Sequence, residues 1–214
     1  MNIRWKIAQW FELQWWQRYL AHRDKNQYLL WKRDYWKQFL TTIQEFYQPK
    51  TTDVLLDLGC GPAGVFIAFP QNEIDAIDPL LNAYEDKLMS FDKKEYQQVH
   101  FIQENIEEFT SNKVYDTIFC INVINHVADI HKAIQNIYQI ASDHTKIIIS
   151  IDCHNYILLQ KLFALIPGDI LHPHQYTLSG YKKVFEQHGF KISFEKKLKS
   201  EMIFDYWVIG MQKK

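Results

Sequence analysis

At 214 residues, with 47% hydrophobic and 23% charged residues, the chain has the composition of a globular protein long enough to bury a core without disulfides or metal. A formal net charge of −1 argues against a protein whose main work is gripping phosphate backbones, so no nucleic-acid partner is expected. The three cysteines, Cys60, Cys120 and Cys153, form no C-x-x-C pair, which argues against a disulfide framework or zinc knuckle and predicts reduced thiols in a cytoplasmic protein.

The chain opens on an amphipathic pattern from Ile3 to Leu20, where Ile7, Phe11, Trp15 and Tyr19 recur every four residues with Trp16 and Leu20 alongside. Asp24 is the expected N-cap of a second helix, in which Trp36, Phe39, Leu40, Ile43, Phe46 and Tyr47 keep helical spacing until Pro49 stops the pattern. Residues 1–50 hold nine of the 24 Lys/Arg, four of the 25 Asp/Glu and six of the seven tryptophans, so this extension, residues 1–49, has a task of its own. Plain core packing or a homodimer seam is the first reading of its aromatic stripe, and a lid over a ligand site the second. Membrane docking comes last, because Glu12 and Gln14 interrupt the apolar face; no short apolar leader or long uncharged run predicts export or stable insertion either. The charge run from Lys32 to Lys37 reads as a solvated face.

After Pro49, short apolar runs alternate with amphipathic segments: Val54 to Leu58, Ile74 to Ile77, Val99 to Ile102, Thr117 to Ile121 and Lys146 to Ile151. Such runs predict strands buried on both faces in a mostly parallel sheet, with helices near Val65 to Phe69, Leu80 to Phe91, Ala128 to Ala141 and Thr177 to His188, the last stopped by Gly189. Lys191 to Lys197 and Met202 to Met211 lie too close together for a crossover helix and predict an antiparallel hairpin.

The first strand runs into Asp57-Leu-Gly59-Cys60-Gly61-Pro-Ala-Gly64, where Gly59 and Gly61 permit backbone angles forbidden to side chains and the following helix would present free N–H groups. Asp78 follows Gly59 by 19 residues at the end of the second strand, where a carboxylate can accept both hydroxyl hydrogens of a ribose. A glycine pattern alone also fits a structural turn or a dinucleotide fold.

The stretch Leu55-Leu-Asp57-Leu-Gly59-Cys60-Gly61-Pro resembles the first motif of the class I S-adenosylmethionine-dependent methyltransferases of small-molecule type, and Asp57 matches the acid that precedes their glycine pair. The likeness extends through residues 50–214. Asp78 matches the ribose acid, and Asn105-Ile106 stands where adenine is held, with asparagine in place of the commoner aspartate. Tyr115-Asp116-Thr-Ile-Phe-Cys120-Ile-Asn122-Val-Ile-Asn125-His126 is similar to the fourth strand and its loop, with His126 at the family's histidine. The resemblance implies a doubly wound, mostly parallel, seven-stranded Rossmann-like sheet with a reversed last strand, preceded by a helical extension. It also implies the cofactor S-adenosylmethionine, contacted by Asp57, Gly59, Cys60, Gly61, Asp78, Pro79, Asn105, Ile106, Cys120 and Asn122.

Methyl transfer from a sulfonium needs alignment and gains from a base, for which His126 and His154, after the fourth and fifth strands, are the candidates. His126 has the competing reading of a helix cap or pocket wall. No metal is expected; His172-Pro-His174 reads as a loop near the active site. The fourth-strand loop lacks the Asn/Asp-Pro-Pro-aromatic sequence of many exocyclic-amine methyltransferases, which together with the acidic charge of the core domain puts a small-molecule acceptor methylated on oxygen or nitrogen first, with proteins and lipids behind. The alternatives are an NAD-type dinucleotide-binding oxidoreductase and a non-catalytic methyltransferase-like binding protein.

Overall fold

A computed structural model describes residues 3–155 and 174–214. The predicted apolar runs form strands β1 (Leu55–Leu58), β2 (Ile74–Ile77), β3 (Val99–Ile102), β4 (Thr117–Ile121), β5 (Lys146–His154), β6 (Phe190–Ser200) and β7 (Phe204–Lys213). They make one seven-stranded sheet in the order β3-β2-β1-β4-β5-β7-β6. β1 to β5 pair in parallel, and β7 runs antiparallel to both β5 and β6, so the expected closing hairpin and reversed last strand are both present. Every residue of β1 and β2 is buried, as a central parallel strand covered on both faces requires. The edge strand β6 instead carries Lys191, Lys196, Lys197 and Lys199, charges that discourage pairing with another sheet.

Alternation along the strands divides the core in two. Leu55, Ala76, Phe119, Ile148 and Val208 face one side, where they meet α1 (Ile3–Leu20), α2 (Lys25–Thr42) and α3 (Leu81–Lys87) through Leu13, Trp36, Phe39 and Tyr84. Leu56, Ile77, Ile118, Ile149 and Ile209 face the other, under α4 (Ile130–Ile140) and α5 (Leu178–Gln187). The sheet is therefore doubly wound, and the N-terminal helices share a core with it.

Helix boundaries follow their caps. Asp24 accepts the Gln27 N–H at 2.9 Å, and Asp129 accepts those of His131 and Lys132 at 3.0 and 3.1 Å. Thr177 accepts the Gly180 N–H at 3.3 Å, and Gly189, at φ +88°, stops the chain after α5. α2 ends at Thr42 rather than near Pro49, because Ile43, Phe46 and Tyr47 leave the helix to pack on the sheet. Gly210 makes this approach feasible: a Cβ there would stand 2.6 Å from the Phe46 ring.

Two expected helices are corrected. Between Gly61 and Phe69 the chain forms only the 3-10 turns Gly61–Ala63 and Val65–Ala68. Gly64 sits between them in an extended conformation, and the buried Asp57 carboxylate takes the Phe66 N–H at 3.3 Å. The segment from Leu80 to Phe91 supplies only the seven-residue α3, because Leu88 turns extended and both Leu88 and Phe91 enter the core. The charge run is corrected in part: Arg33, Asp34 and Lys37 are exposed, whereas Lys32 is half-buried and turns inward.

Candidate active site

β1, β2, β4 and β5 all deliver residues from their carboxyl ends into one cavity of about 730 Å³. Its floor is the loop after β1. Gly59 lies at φ +68° and Gly61 at φ +56°, both in the left-handed region that glycine enters at little cost. At Gly61 a Cβ would meet nothing nearer than Trp16 Cζ2 at 3.7 Å, so this stretch of backbone faces open space in the cavity. Asn122, after β4, is also left-handed at φ 58° and places its exposed side chain on the opposite rim.

Asp78 ties the second strand to this loop. One carboxylate oxygen accepts the Gly61 N–H at 3.0 Å and the other the Leu80 N–H at 2.8 Å. Burial pushes its carboxyl up to about 6, against the pull of those two donors. Asp57 lies beneath the loop; burial raises it to about 7, opposed by the N–H groups of Phe66 and Val65 and by the Lys32 cation, with the Asp78 charge adding to the rise. Lys32 reaches into the cavity from α2, and burial lowers it to about 8 despite the attraction of Asp57.

The N-terminal helices line part of the cavity. α1 contributes Trp5, Gln9, Glu12, Trp15 and Trp16; α2 contributes Lys32, Tyr35 and Trp36. Trp36 is buried, and its indole N–H donates to the Ala63 carbonyl at 3.1 Å, locking α2 onto the turn that follows the glycines. Tyr206 on β7 exchanges a 2.6 Å hydrogen bond with Ser150 and another with Tyr35, next to Asp152 at the end of β5.

Of the residues singled out from the sequence, Asp57, Gly59, Cys60, Gly61, Asp78, Pro79, Asn105, Ile106, Asn122 and His126 all line this cavity. Cys120 does not; its buried side chain belongs to the core beneath α4. His154 does not either: it is buried at 4.3 Å from the Phe204 ring centroid, with Nε2 2.6 Å from the Gln175 amide oxygen. His126 is half-buried, and the cap of the next helix is Asp129, so the capping reading is not realised. His172 lies outside the described residues, and no metal-holding cluster exists among them. Sequence reasoning misses Gln9, Glu12, Trp16, Lys32, Tyr35 and Tyr206, since the place of each is set by contacts distant in the chain.

The residues present fit an adenosine-bearing cofactor: an open glycine backbone, a buried acid at the end of the second strand, and a buried Gln9 amide oxygen on the cavity side that accepts no hydrogen bond. Together with the reversed β7, they define the class I fold that binds S-adenosylmethionine. The model of the methyltransferase domain family matches residues 9–193, and the chain belongs to that family. Its cofactor is therefore S-adenosylmethionine.

Among curated proteins, the chain is 36% identical over 89 residues to the ubiquinone biosynthesis O-methyltransferase of Rickettsia canadensis (strain McKiel), a match covering 40% of this chain and 36% of that one. The protein of the same name from Rickettsia prowazekii (strain Madrid E) is also 36% identical over 89 residues, covering 40% of this chain and 34% of that one. The match thus spans about a third of the length of these relatives. Among solved structures, the N-methyltransferase NodS from Bradyrhizobium japonicum WM9, in complex with S-adenosylhomocysteine, superposes with a TM-score of 0.63 at 11% identity, covering 92% of this chain and 96% of that one. The [4+2]-cyclase SpnF shares the fold equally well, with a TM-score of 0.64 at 11% identity over 82% of this chain and 80% of that one. Fold alone therefore does not decide the reaction.

Proposed function

We propose that this chain transfers a methyl group from S-adenosylmethionine to an oxygen or nitrogen atom of a small molecule. The observation that carries this reading is the continuity of the cavity. From the cofactor residues on β1 and β2 it runs past β4 to Tyr35, Asp152 and Tyr206, leaving room for an acceptor beside the nucleoside. Bound there, S-adenosylmethionine supplies an electrophilic methyl group.

The protein's share of the chemistry is alignment and the exclusion of water. α1 and α2 act as the roof: their tryptophans wall off the carboxyl edge of the sheet, so an acceptor is held against the methyl in a space of restricted access. Among the described residues His126 is the histidine that reaches the cavity, and it takes the proton released as the acceptor atom is methylated. His126→Gln is expected to lower kcat by about 100-fold, the lower end of what a positioned base contributes. Affinity for S-adenosylhomocysteine should stay the same, and an unchanged kcat would remove the base role.

The binding half of the proposal is tested by thermal unfolding with S-adenosylmethionine, S-adenosylhomocysteine or NAD. Ligand at 100 times its Kd adds about 2.7 kcal/mol to a folded state that alone binds it. The midpoint should rise with the two sulfur nucleosides and not with NAD. A rise with NAD alone, or with none of the three, overturns the reading, and turnover on an acceptor panel then separates an enzyme from a binding protein.

A further inference from the structure

We propose that Glu12, carried by α1, is a second carboxylate of the nucleoside subsite, sharing the ribose hydroxyls of the cofactor with Asp78, so that capture of the cofactor and seating of α1 are one event. The inference rests on the reading of the cavity as an S-adenosylmethionine site.

Glu12 lies 66 positions before Asp78, yet both carboxylates line the same cavity, where burial and the Asp78 charge disfavour ionisation of Glu12. The hydrogen-bond partners of Glu12 are uncharged donors. The Tyr84 hydroxyl of α3 donates to one of its oxygens at 3.2 Å, the Gln9 amide of α1 donates to the other at 3.4 Å, and Trp16 adds a further side-chain hydrogen bond. Among the described residues, no Lys or Arg forms an ion pair with Glu12 or Asp78. Of the lysines that the described residues place in the cavity wall, Lys32 faces Asp57 and Lys199 pairs with Glu201.

What remains is a pocket of acceptors. Glu12 and Asp78 retain acceptor capacity beyond the bonds they make, and the buried Gln9 Oε1 has no donor. A buried acceptor without a donor is unfavourable, and so are two carboxylate charges in one cavity. The group that relieves both brings hydroxyl or N–H donors on a compact frame, and a vicinal diol offers one hydroxyl to each carboxylate. α1 is otherwise lightly held, with only Ala8, Leu13 and Leu20 of its 18 residues buried. Trp16, one turn from Glu12, stands over Gly61, so a ligand gripped by Glu12 also lies under that ring.

The test is calorimetric titration of S-adenosylhomocysteine and of its 2′-deoxy and 3′-deoxy analogues into wild type and Glu12→Gln, an isosteric change that keeps the Tyr84 contact. Wild type should bind both analogues more weakly than the parent. Glu12→Gln should bind the parent about tenfold more weakly, a change of about 1.4 kcal/mol, and should lose its discrimination against one analogue while keeping it against the other. A merely structural Glu12 would weaken all three ligands by one factor, and that outcome, or wild-type affinities, overturns the proposal. Hydrogen exchange on wild type gives an arm independent of any variant: S-adenosylhomocysteine should slow exchange along residues 8–18, and an unaltered α1 overturns the coupling. Failure of wild type to bind S-adenosylhomocysteine removes the cofactor reading itself and this inference with it. Binding by wild type with Glu12→Gln indistinguishable removes only the role of Glu12.

Discussion

Gly59→Ala is expected to destabilise the protein by about 3 kcal/mol, the sum of left-handed backbone strain in a residue with a side chain and overpacking against a neighbour. The backbone there lies at φ +68°, and an added Cβ would stand 2.4 Å from both methyl carbons of Val123. That residue is no flexible tip. It follows the left-handed Asn122 in the loop after β4, and the carbonyl of Val123 accepts the His126 N–H at 2.8 Å. Relieving the clash therefore moves the rim that carries Asn122 and His126, and affinity for S-adenosylhomocysteine should fall together with stability. Urea unfolding of Gly59→Ala and of the double variant Gly59→Ala/Val123→Ala separates the contributions. The second substitution should restore the overpacking share and leave the backbone share. A Gly59→Ala protein within about 0.5 kcal/mol of wild type, the ordinary scatter of a neutral surface change, would show that the loop is not tightly packed.

Asp78→Ala should lower affinity for S-adenosylhomocysteine by at least about 100-fold, since hydrogen bonds to a charged partner contribute about 1.5 to 3 kcal/mol each. It should also cancel the thermal shift seen with wild type. The side chain acts twice: it is the acid aimed at the ribose, and it holds the Gly61 and Leu80 N–H groups that shape the loop. Asp78→Asn keeps one acceptor oxygen but no charge, and should fall between wild type and alanine. The same carboxyl gives binding a pH dependence. Burial raises it to about 6, and the ionised form is the better acceptor, so binding lowers its proton affinity. Affinity should then decline as pH falls through about 6, and binding near that pH should release protons, read by calorimetry in buffers of different ionisation enthalpy. Affinity that stays flat between about pH 5.5 and 8 would show that Asp78 does not accept from the ligand.

Much of this site is legible in the amino-acid sequence. The end of β1 is visible because a buried parallel strand must be apolar and the turn after it needs glycine at positive φ, two constraints that act within a few residues of one another. Asp78 can be placed by its distance from a strand end, which the crossover geometry keeps narrow, whereas Asp57 and Asn105 are placed by the resemblance to the methyltransferase motifs. The helix expected at Val65 is replaced by the 3-10 turn Val65–Ala68, where Asp57 accepts the Phe66 N–H as a cap would. Gly64 cannot be larger, because a Cβ would stand 2.4 Å from that same carboxylate and 2.5 Å from the Cys60 carbonyl oxygen. Cys120 illustrates the opposite limit. It has the right position in the strand, but alternation points its side chain into the core rather than the cavity.

By itself the sequence determined the strands, the closing hairpin, the glycine loop and the place of Asp78, since these are written in periodicity and spacing over short stretches of chain, while the reversed last strand and the role of Asp57 came from the resemblance its motifs carry. Only the tertiary structure brings residues of the Trp-rich extension to the cavity. Glu12 reads locally as a polar break in an apolar stripe and Lys32 as part of a solvated run, yet the fold turns both into the cavity, against Asp78 and Asp57 respectively. Helical periodicity tells which residues share a face, but what that face meets depends on how helices separated by dozens of residues settle on the sheet, and packing energy over long distances in the chain decides that.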